Sequence, residues 1–119
     1  MIDHVSIRTK DLARSRAFYE KALAPLGYKV IMEFEGAVGM GAGGFPDFWI
    51  GLDEPSARVH VAFKGSRKAI DAFHAAAVAA GGTDNGAPGL RPHYHESYYA
   101  AFVVDPDGHN IEAVTHERE

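Results

Sequence analysis

The chain has 119 residues, with 16 acidic against 12 basic side chains for a net charge of -4, and is 46% hydrophobic and 24% charged. That balance excludes a disordered chain, offers no basic face for nucleic acid, and contains no apolar run near the ~20 residues that cross a bilayer. Cysteine is absent, which removes disulfides, zinc–thiolate sites and a cysteine nucleophile. No signal sequence precedes the first strand, so a cytoplasmic protein folded as one domain over 1–119 is expected.

In chain order, residues 2–8 alternate and predict a first strand. Asp11 then offers a side-chain oxygen to cap a helix over about 11–24. Leu12, Phe18, Ala22 and Leu26 trace one face of that helix, and Gly27 closes it. Strands near 28–35, 37–42 and 47–52 complete the first module, 1–52. Gly36, Gly39, Gly41, Gly43 and Gly44 crowd this stretch. A phosphate loop would need a following helix and a Lys-Ser/Thr pair, so a sharply bending meander is the better account of them. Asp53-Glu54-Pro55-Ser56-Ala57 reads as a connector.

The second module, 58–119, repeats the pattern. A strand over 58–64 leads to a helix over about 66–80, capped by Ser66, with Ile70, Phe73, Ala77 and Ala80 on one face and Gly81-Gly82 at its end. Strands near 83–87, 97–104 and 109–115 follow. Shifting by 55 residues carries Asp11 to Ser66, Phe18 to Phe73, Ala22 to Ala77 and Gly27 to Gly82, and a shift of 56 carries His4 to His60. The chain is thus two successive βαβββ units.

Strand parity singles out three residues. Neighbouring side chains on a strand point to opposite faces. One parity holds Asp3, Val5 and Ile7, then Val59, Val61 and Phe63, then Ile111 and Ala113; the other holds His4, His60 and Glu112. If the three strands share one curved sheet, two imidazoles and a carboxylate gather on one face, the ligand set of a divalent metal with open positions.

These segments resemble the vicinal oxygen chelate superfamily, which includes glyoxalase I, fosfomycin- and bleomycin-resistance proteins and extradiol dioxygenases. The resemblance rests on Ile2-Asp3-His4-Val5-Ser6-Ile7 with Asp11-Leu12-Ala13-Arg14-Ser15 and Phe18-Tyr19, on Val59-His60-Val61-Ala62-Phe63, and on Phe102-Val103-Val104-Asp105-Pro106-Asp107-Gly108-His109-Asn110-Ile111-Glu112. It implies an α+β fold of two βαβββ modules forming curved mixed sheets around a metal-binding cavity, with His4, His60 and Glu112 as ligands. It also implies a homodimer, its modules paired within one chain or exchanged between two. Glyoxalase I, by the same resemblance, adds a glutamate from the last strand of its first module. Here residues 48–52 carry no carboxylate, which points to the open two-histidine, one-carboxylate set.

Around that set, a four-residue turn at 105–108 would pair Val104 with His109 and put Ala101 opposite Glu112. Tyr99 would then share the glutamate's face and serve catalysis by donating to a bound oxyanion, with Tyr98 its substitute if a bulge intervenes. Arg91 and His95, in a polar loop that also holds His93, and Trp49, as a cavity wall, are the substrate-binding candidates. His93 and His95 would share a face if that loop is extended. His109, at the head of the last strand, has no role of its own.

The expected function is that of a small metal-dependent enzyme whose ion chelates two oxygens of a small-molecule substrate, with dioxygenase-like or lyase/transferase-like chemistry. Imidazole and carboxylate accept Fe, Mn, Ni and Zn alike. The alternative is a bleomycin-resistance-type protein that sequesters a drug or antibiotic without catalysis. No nucleic-acid or membrane partner is expected.

Overall fold

The computed structural model describes residues 1–55 and 57–118; Ser56, within the predicted connector, and Glu119 lie outside the described residues. The first module runs β1 (Val5–Thr9), α1 (Leu12–Ala22), β2 (Lys29–Phe34), β3 (Ala37–Gly41) and β4 (Phe48–Leu52). The second runs β5 (His60–Lys64), α2 (Arg67–Ala79), β6 (Thr83–Leu90), β7 (Tyr99–Val104) and β8 (Asn110–Thr115). Both predicted caps form: Asp11 accepts from the Arg14 amide and Ser66 from the Ala69 amide, each at 3.1 Å. Helix α1 ends earlier than its apolar pattern suggests. Pro25 lies in a short 3-10 turn, Ala24–Leu26, that Gly27 closes at φ 85°. No helix among the described residues is long and apolar enough to cross a membrane.

Each module makes its own four-stranded mixed sheet, ordered β1-β4-β3-β2 and β5-β8-β7-β6. The first and last strands of each module pair in parallel, and the rest pair antiparallel. This identity of topology is the internal repeat made visible. Strand parity then sorts the side chains. Ile7, Val38, Met40, Phe48 and Ile50 of one sheet, and Phe63, Ala101, Val103, Ile111 and Ala113 of the other, are all buried. They join Phe18, Tyr19 and Ala22 of α1 and Ile70, Phe73 and Ala77 of α2 in one apolar cluster. At roughly 1.5–3 kcal/mol per large side chain removed from water, this cluster is the main force holding the modules together. Phe48 and Phe63 meet across it edge to face, centroids 5.1 Å apart.

A polar seam adds direction to that packing. The D-P-D-G turn between β7 and β8 reaches the first module, where Asp107 takes hydrogen bonds from Thr9 Oγ1 at 2.6 Å, Ser15 Oγ at 3.1 Å and the Arg14 guanidinium at 2.8 Å. Burial alone would raise the Asp107 carboxyl, but the donors from Thr9, Ser15, Lys10 and Arg14 outweigh it and hold the pKa below the usual aspartate value. Tyr19, fully buried on α1, donates to Asp105 at 2.5 Å. Burial first, and Asp105 beside it, push that phenol well above its ordinary range.

His109 has a role after all. It is 1% exposed, its Nδ1 accepts from the Val59 amide at 3.1 Å, and its Nε2–H donates to the Arg8 carbonyl at 2.9 Å. Those two bonds define one neutral tautomer and join β5 to β1.

The same turn corrects the predicted β7–β8 register. Asp105 Oδ1 accepts from the amides of Asp107 and His109, and the Asp105 and His109 backbones bond at 2.9 Å, so the turn takes five residues, 105–109. Val104 then pairs with Asn110, Phe102 faces Glu112, and Ala101 faces Ala113. A one-residue shift sends each side chain to the other face.

Candidate metal centre

Parity survives where it was read within single strands. His60 and Glu112 share the face of the second sheet away from the helices, β5 and β8 being adjacent and in parallel register. His60 Nε2 stands 3.0 Å from Glu112 Oε1, with the imidazole half exposed and the carboxylate 3% exposed. Tyr98 donates to the other oxygen, Oε2. Around this pair lies a cavity of 340 Å³ whose walls are Tyr94, Tyr98, Phe102 and Asn110. The Phe102 ring lies nearly parallel to His60, centroids 6.4 Å apart.

The hydrogen bonds fix how His60 is presented. Its Nδ1 lies 3.0 Å from the Asn110 carbonyl, which can only accept, so Nδ1 carries the proton. Nε2 therefore faces a carboxylate oxygen at 3.0 Å, a spacing that requires a proton or a cation between the two atoms. His4 repeats the arrangement. Its Nδ1 lies 2.7 Å from Asp3 Oδ1, which leaves Nε2 free on a side chain 53% exposed. An imidazole whose Nδ1–H is held by a carbonyl or carboxylate is oriented as metal ligands are.

The chain does not bring its three predicted ligands together. His4 just precedes β1 of the other sheet and lines a separate cavity with Tyr28, Asp47, Phe48 and the Val61–Lys64 stretch. Among the described residues no three His, Cys, Asp or Glu side chains converge on one point. The expectation of one curved sheet fails because β1 pairs with β4 and β5 with β8, leaving two sheets. What fits a metal within one chain is a half-site, His60 and Glu112: donors of the right chemistry, oriented by Asn110 and Tyr98, but one ligand short.

The remaining candidates fall in different places. Tyr99, by the register shift, faces the helix side and donates to Asp71 of α2 at 2.5 Å; that bond first, then burial, raises its pKa. Tyr98, the substitute, is the tyrosine at the site. Burial and the Glu112 carboxylate raise its phenol to about 12, so it keeps its proton at neutral pH. Arg91 is not free for an anionic substrate. It donates to the Gly89 and Ala87 carbonyls at 2.8 Å each and lies over Phe102.

His95 is turned from the cavity, its Nδ1 accepting from the Ser97 amide at 3.1 Å and its ring against His116. The loop is a tight turn, with the amides of Tyr94 and His95 bonded to the Arg91 carbonyl, so His93 and His95 do not share a face. Trp49 lies on the first sheet, stacked on Phe34 with centroids 6.0 Å apart. Its ring lies flat over Gly39, where a Cβ would come within 2.8 Å of ring carbons. Tyr94 and Phe102 are the wall residues that sequence reasoning missed. Phe102 was hidden by the register error, and nothing local in sequence marks Tyr94.

Comparison with known proteins agrees with this architecture. The family model of the Glyoxalase/Bleomycin resistance protein/Dioxygenase superfamily matches residues 1–113, and the chain belongs to that superfamily. Among solved structures, a glyoxalase/bleomycin resistance protein from Albidiferax ferrireducens is similar at 30% identity and TM-score 0.83, over 93% of this chain and 95% of that one. A fosfomycin resistance protein from Mesorhizobium loti shares the fold at 19% identity and TM-score 0.71, over 94% and 88% of the two chains. A glyoxalase I mutant from Zea mays matches at 25% identity and TM-score 0.68, over 95% of this chain but 46% of that one. No curated protein matches the chain.

Proposed function

We propose that the protein is a divalent-metal-dependent enzyme acting on a small molecule that offers two oxygens, with each metal site completed by a second copy of the chain. His60 and Glu112 of one copy, with His4 of the other, would hold the ion. Fe, Mn, Ni and Zn all suit this set. The observation that carries the reading is the matched state of the two histidines: each commits Nδ1–H to an oxygen, leaving Nε2 for a ligand bond. Their separation within one chain supports exchange between copies.

When bound, the ion supplies Lewis acidity towards the substrate's oxygens, as either a dioxygenase or a lyase/transferase requires. The chain's own residues do the rest. The Asn110 carbonyl fixes the His60 ring, Tyr98 holds Glu112 through one oxygen, and its retained proton is a donor for an oxyanion close to the carboxylate. Phe102, Tyr94 and Tyr98 give the cavity flat apolar walls. The lack of a carboxylate in 48–52 separates this site from four-ligand glyoxalase chemistry.

Metal analysis of protein purified without chelator tests the reading. One divalent ion per chain is expected, lost on His4→Ala or His60→Ala. Mixing the two variants equally should restore binding at about one site in four, because about half the dimers are then mixed and one of the two sites in each mixed dimer keeps all three ligands. A metal-free native protein would overturn the reading, and no recovery on mixing would overturn the exchange. The second reading, a binder that sequesters its ligand without chemistry, is favoured by the Phe34–Trp49 stack on the first sheet. Tight ligand binding without metal would move the conclusion there.

A further inference from the structure

Arg91 stands outside the lining of the Glu112 cavity, yet two of that cavity's walls are tied to it. Its guanidinium commits its donors to β6, meeting the Gly89 and Ala87 carbonyls at 2.8 Å each. The Cζ atom lies 5.5 Å from the centre of the Phe102 ring, within the range of a cation–π contact. The glycines of β6 make room for this arrangement. A Cβ on Gly86 would come within 3.1 Å of the guanidinium and 3.0 Å of the Phe102 ring, and one on Gly89 within 3.3 Å of the guanidinium. Gly86 also holds φ at 151°, a backbone conformation that side chains disfavour.

The backbone of Arg91 holds the other wall. Its amide donates to the Tyr98 carbonyl at 2.7 Å, and its carbonyl accepts from the amides of Tyr94 and His95 at 3.0 and 3.3 Å. The turn closed in this way carries Tyr94 and Tyr98, whose rings meet edge to face with centroids 5.1 Å apart, and Tyr98 reaches Glu112 Oε2. On β7, Phe102 pairs with Gly86 on one side and Glu112 on the other. Phe102 thus stands between β6, where the guanidinium is anchored, and the carboxylate, with its ring nearly parallel to His60. A planar fork held at two carbonyls loses little freedom when it stacks, so it fixes the ring better than an ammonium would. We propose that Arg91 is the positioning residue of this site: it lines no part of the cavity, yet holds Phe102 and the Tyr94–Tyr98 turn in place against Glu112. The consequence for metal binding rests on the reading of His60 and Glu112 as ligands, whereas the geometry does not.

The test compares Arg91→Gln, Arg91→Lys and Phe102→Leu with the native chain, in two measurements on the full protein. The first, on protein stripped of metal, follows the NMR signals of the His60 and Tyr98 rings. Arg91→Gln should move both, His60 towards its position in Phe102→Leu, because the ring beside it is no longer held. Arg91→Lys keeps a charge for Phe102 but cannot fork across two carbonyls, so it should recover only part of the native pattern. The second measurement is zinc affinity, by competition with a chromophoric chelator. A loss of about fivefold is expected for Arg91→Gln, less than for a residue bonded directly to a ligand, and lysine should restore part of it. Ile50→Val, a change in the buried core of the first sheet, should lower the melting temperature without altering either measurement. Unmoved His60 and Tyr98 signals in Arg91→Gln, or zinc losses that merely follow melting temperature across all four variants, would overturn the proposal. If the native chain binds no zinc, the metal reading falls and the ring signals alone decide this one. Should Arg91→Gln fail to fold, Arg91→Lys decides in its place, and native signals from both rings would overturn the proposal.

Discussion

Two polar regions of this molecule look alike on paper and differ in how they are satisfied. At the module seam Asp107, Asp105 and His109 have their hydrogen-bonding groups met by protein: Thr9, Ser15 and Arg14 on Asp107, Tyr19 on Asp105, and Val59 and Arg8 on His109. At Glu112 the protein stops short. Tyr98 meets one oxygen, and the other stands 3.0 Å from His60 Nε2, with a cavity alongside. A closed set of partners makes a structural joint, whereas a half-exposed histidine beside a buried carboxylate and a cavity can share a proton or a cation. The most specific sequence motif, the D-P-D-G turn, belongs to the joint, although it leads directly to the glutamate of the site.

That contrast is open to measurement. The largest effect should come from Asp107→Ala, which strands Thr9, Ser15 and Arg14 at the seam. A loss of about 2–4 kcal/mol in urea unfolding is expected, whereas Glu112→Gln should cost no more than about 1 kcal/mol yet abolish metal binding. Equal stability losses would erase the distinction between joint and site.

Acid should expose the same joint. The folded Asp107 pKa is depressed, so its stabilisation is whole above the unfolded aspartate value of about 3.9 and fades as pH falls from there through the lower folded value. Melting temperatures measured down this range should fall more steeply for the native chain than for Asp107→Asn. His109→Leu, which leaves the Val59 amide and Arg8 carbonyl unpaired, should cost about 2 kcal/mol without changing metal content.

The smallest effects separate the two neighbouring tyrosines. Tyr98→Phe should weaken metal binding about tenfold, since on the proposed reading its hydroxyl positions Glu112 for the ion. Tyr99→Phe should leave metal binding unchanged and lower stability by about 0.5 kcal/mol, because its exposed partner Asp71 can turn to water. The reverse order would restore the register first expected from a four-residue turn.

How much of this was legible depends on how far apart the interacting residues are in sequence. Helix caps at Asp11 and Ser66, the glycine stop at Gly27 and the burial of Ile7, Phe63 and Ile111 follow from contacts within a few residues, and the sequence carries them openly. The doubled βαβββ order was readable because it is written twice. The Tyr98–Glu112 contact was not, because it depends on whether a turn has four residues or five. That was decided by Asp105 drawing the His109 amide into the turn.

By itself, then, the sequence determined two modules, their core faces, and the residue types fit for a metal: two histidines and a glutamate in phase, His60 and Glu112 on strands and His4 just before one. Only the tertiary structure decided that β1 and β5 belong to different sheets, that His60 and Glu112 meet while His4 stands apart, and that Tyr98 rather than Tyr99 attends the carboxylate. The reason is physical. Alternation fixes which way a side chain points along its own strand, but strand pairing and turn length fix what it points at, and these are set by hydrogen bonds between residues far apart in the chain.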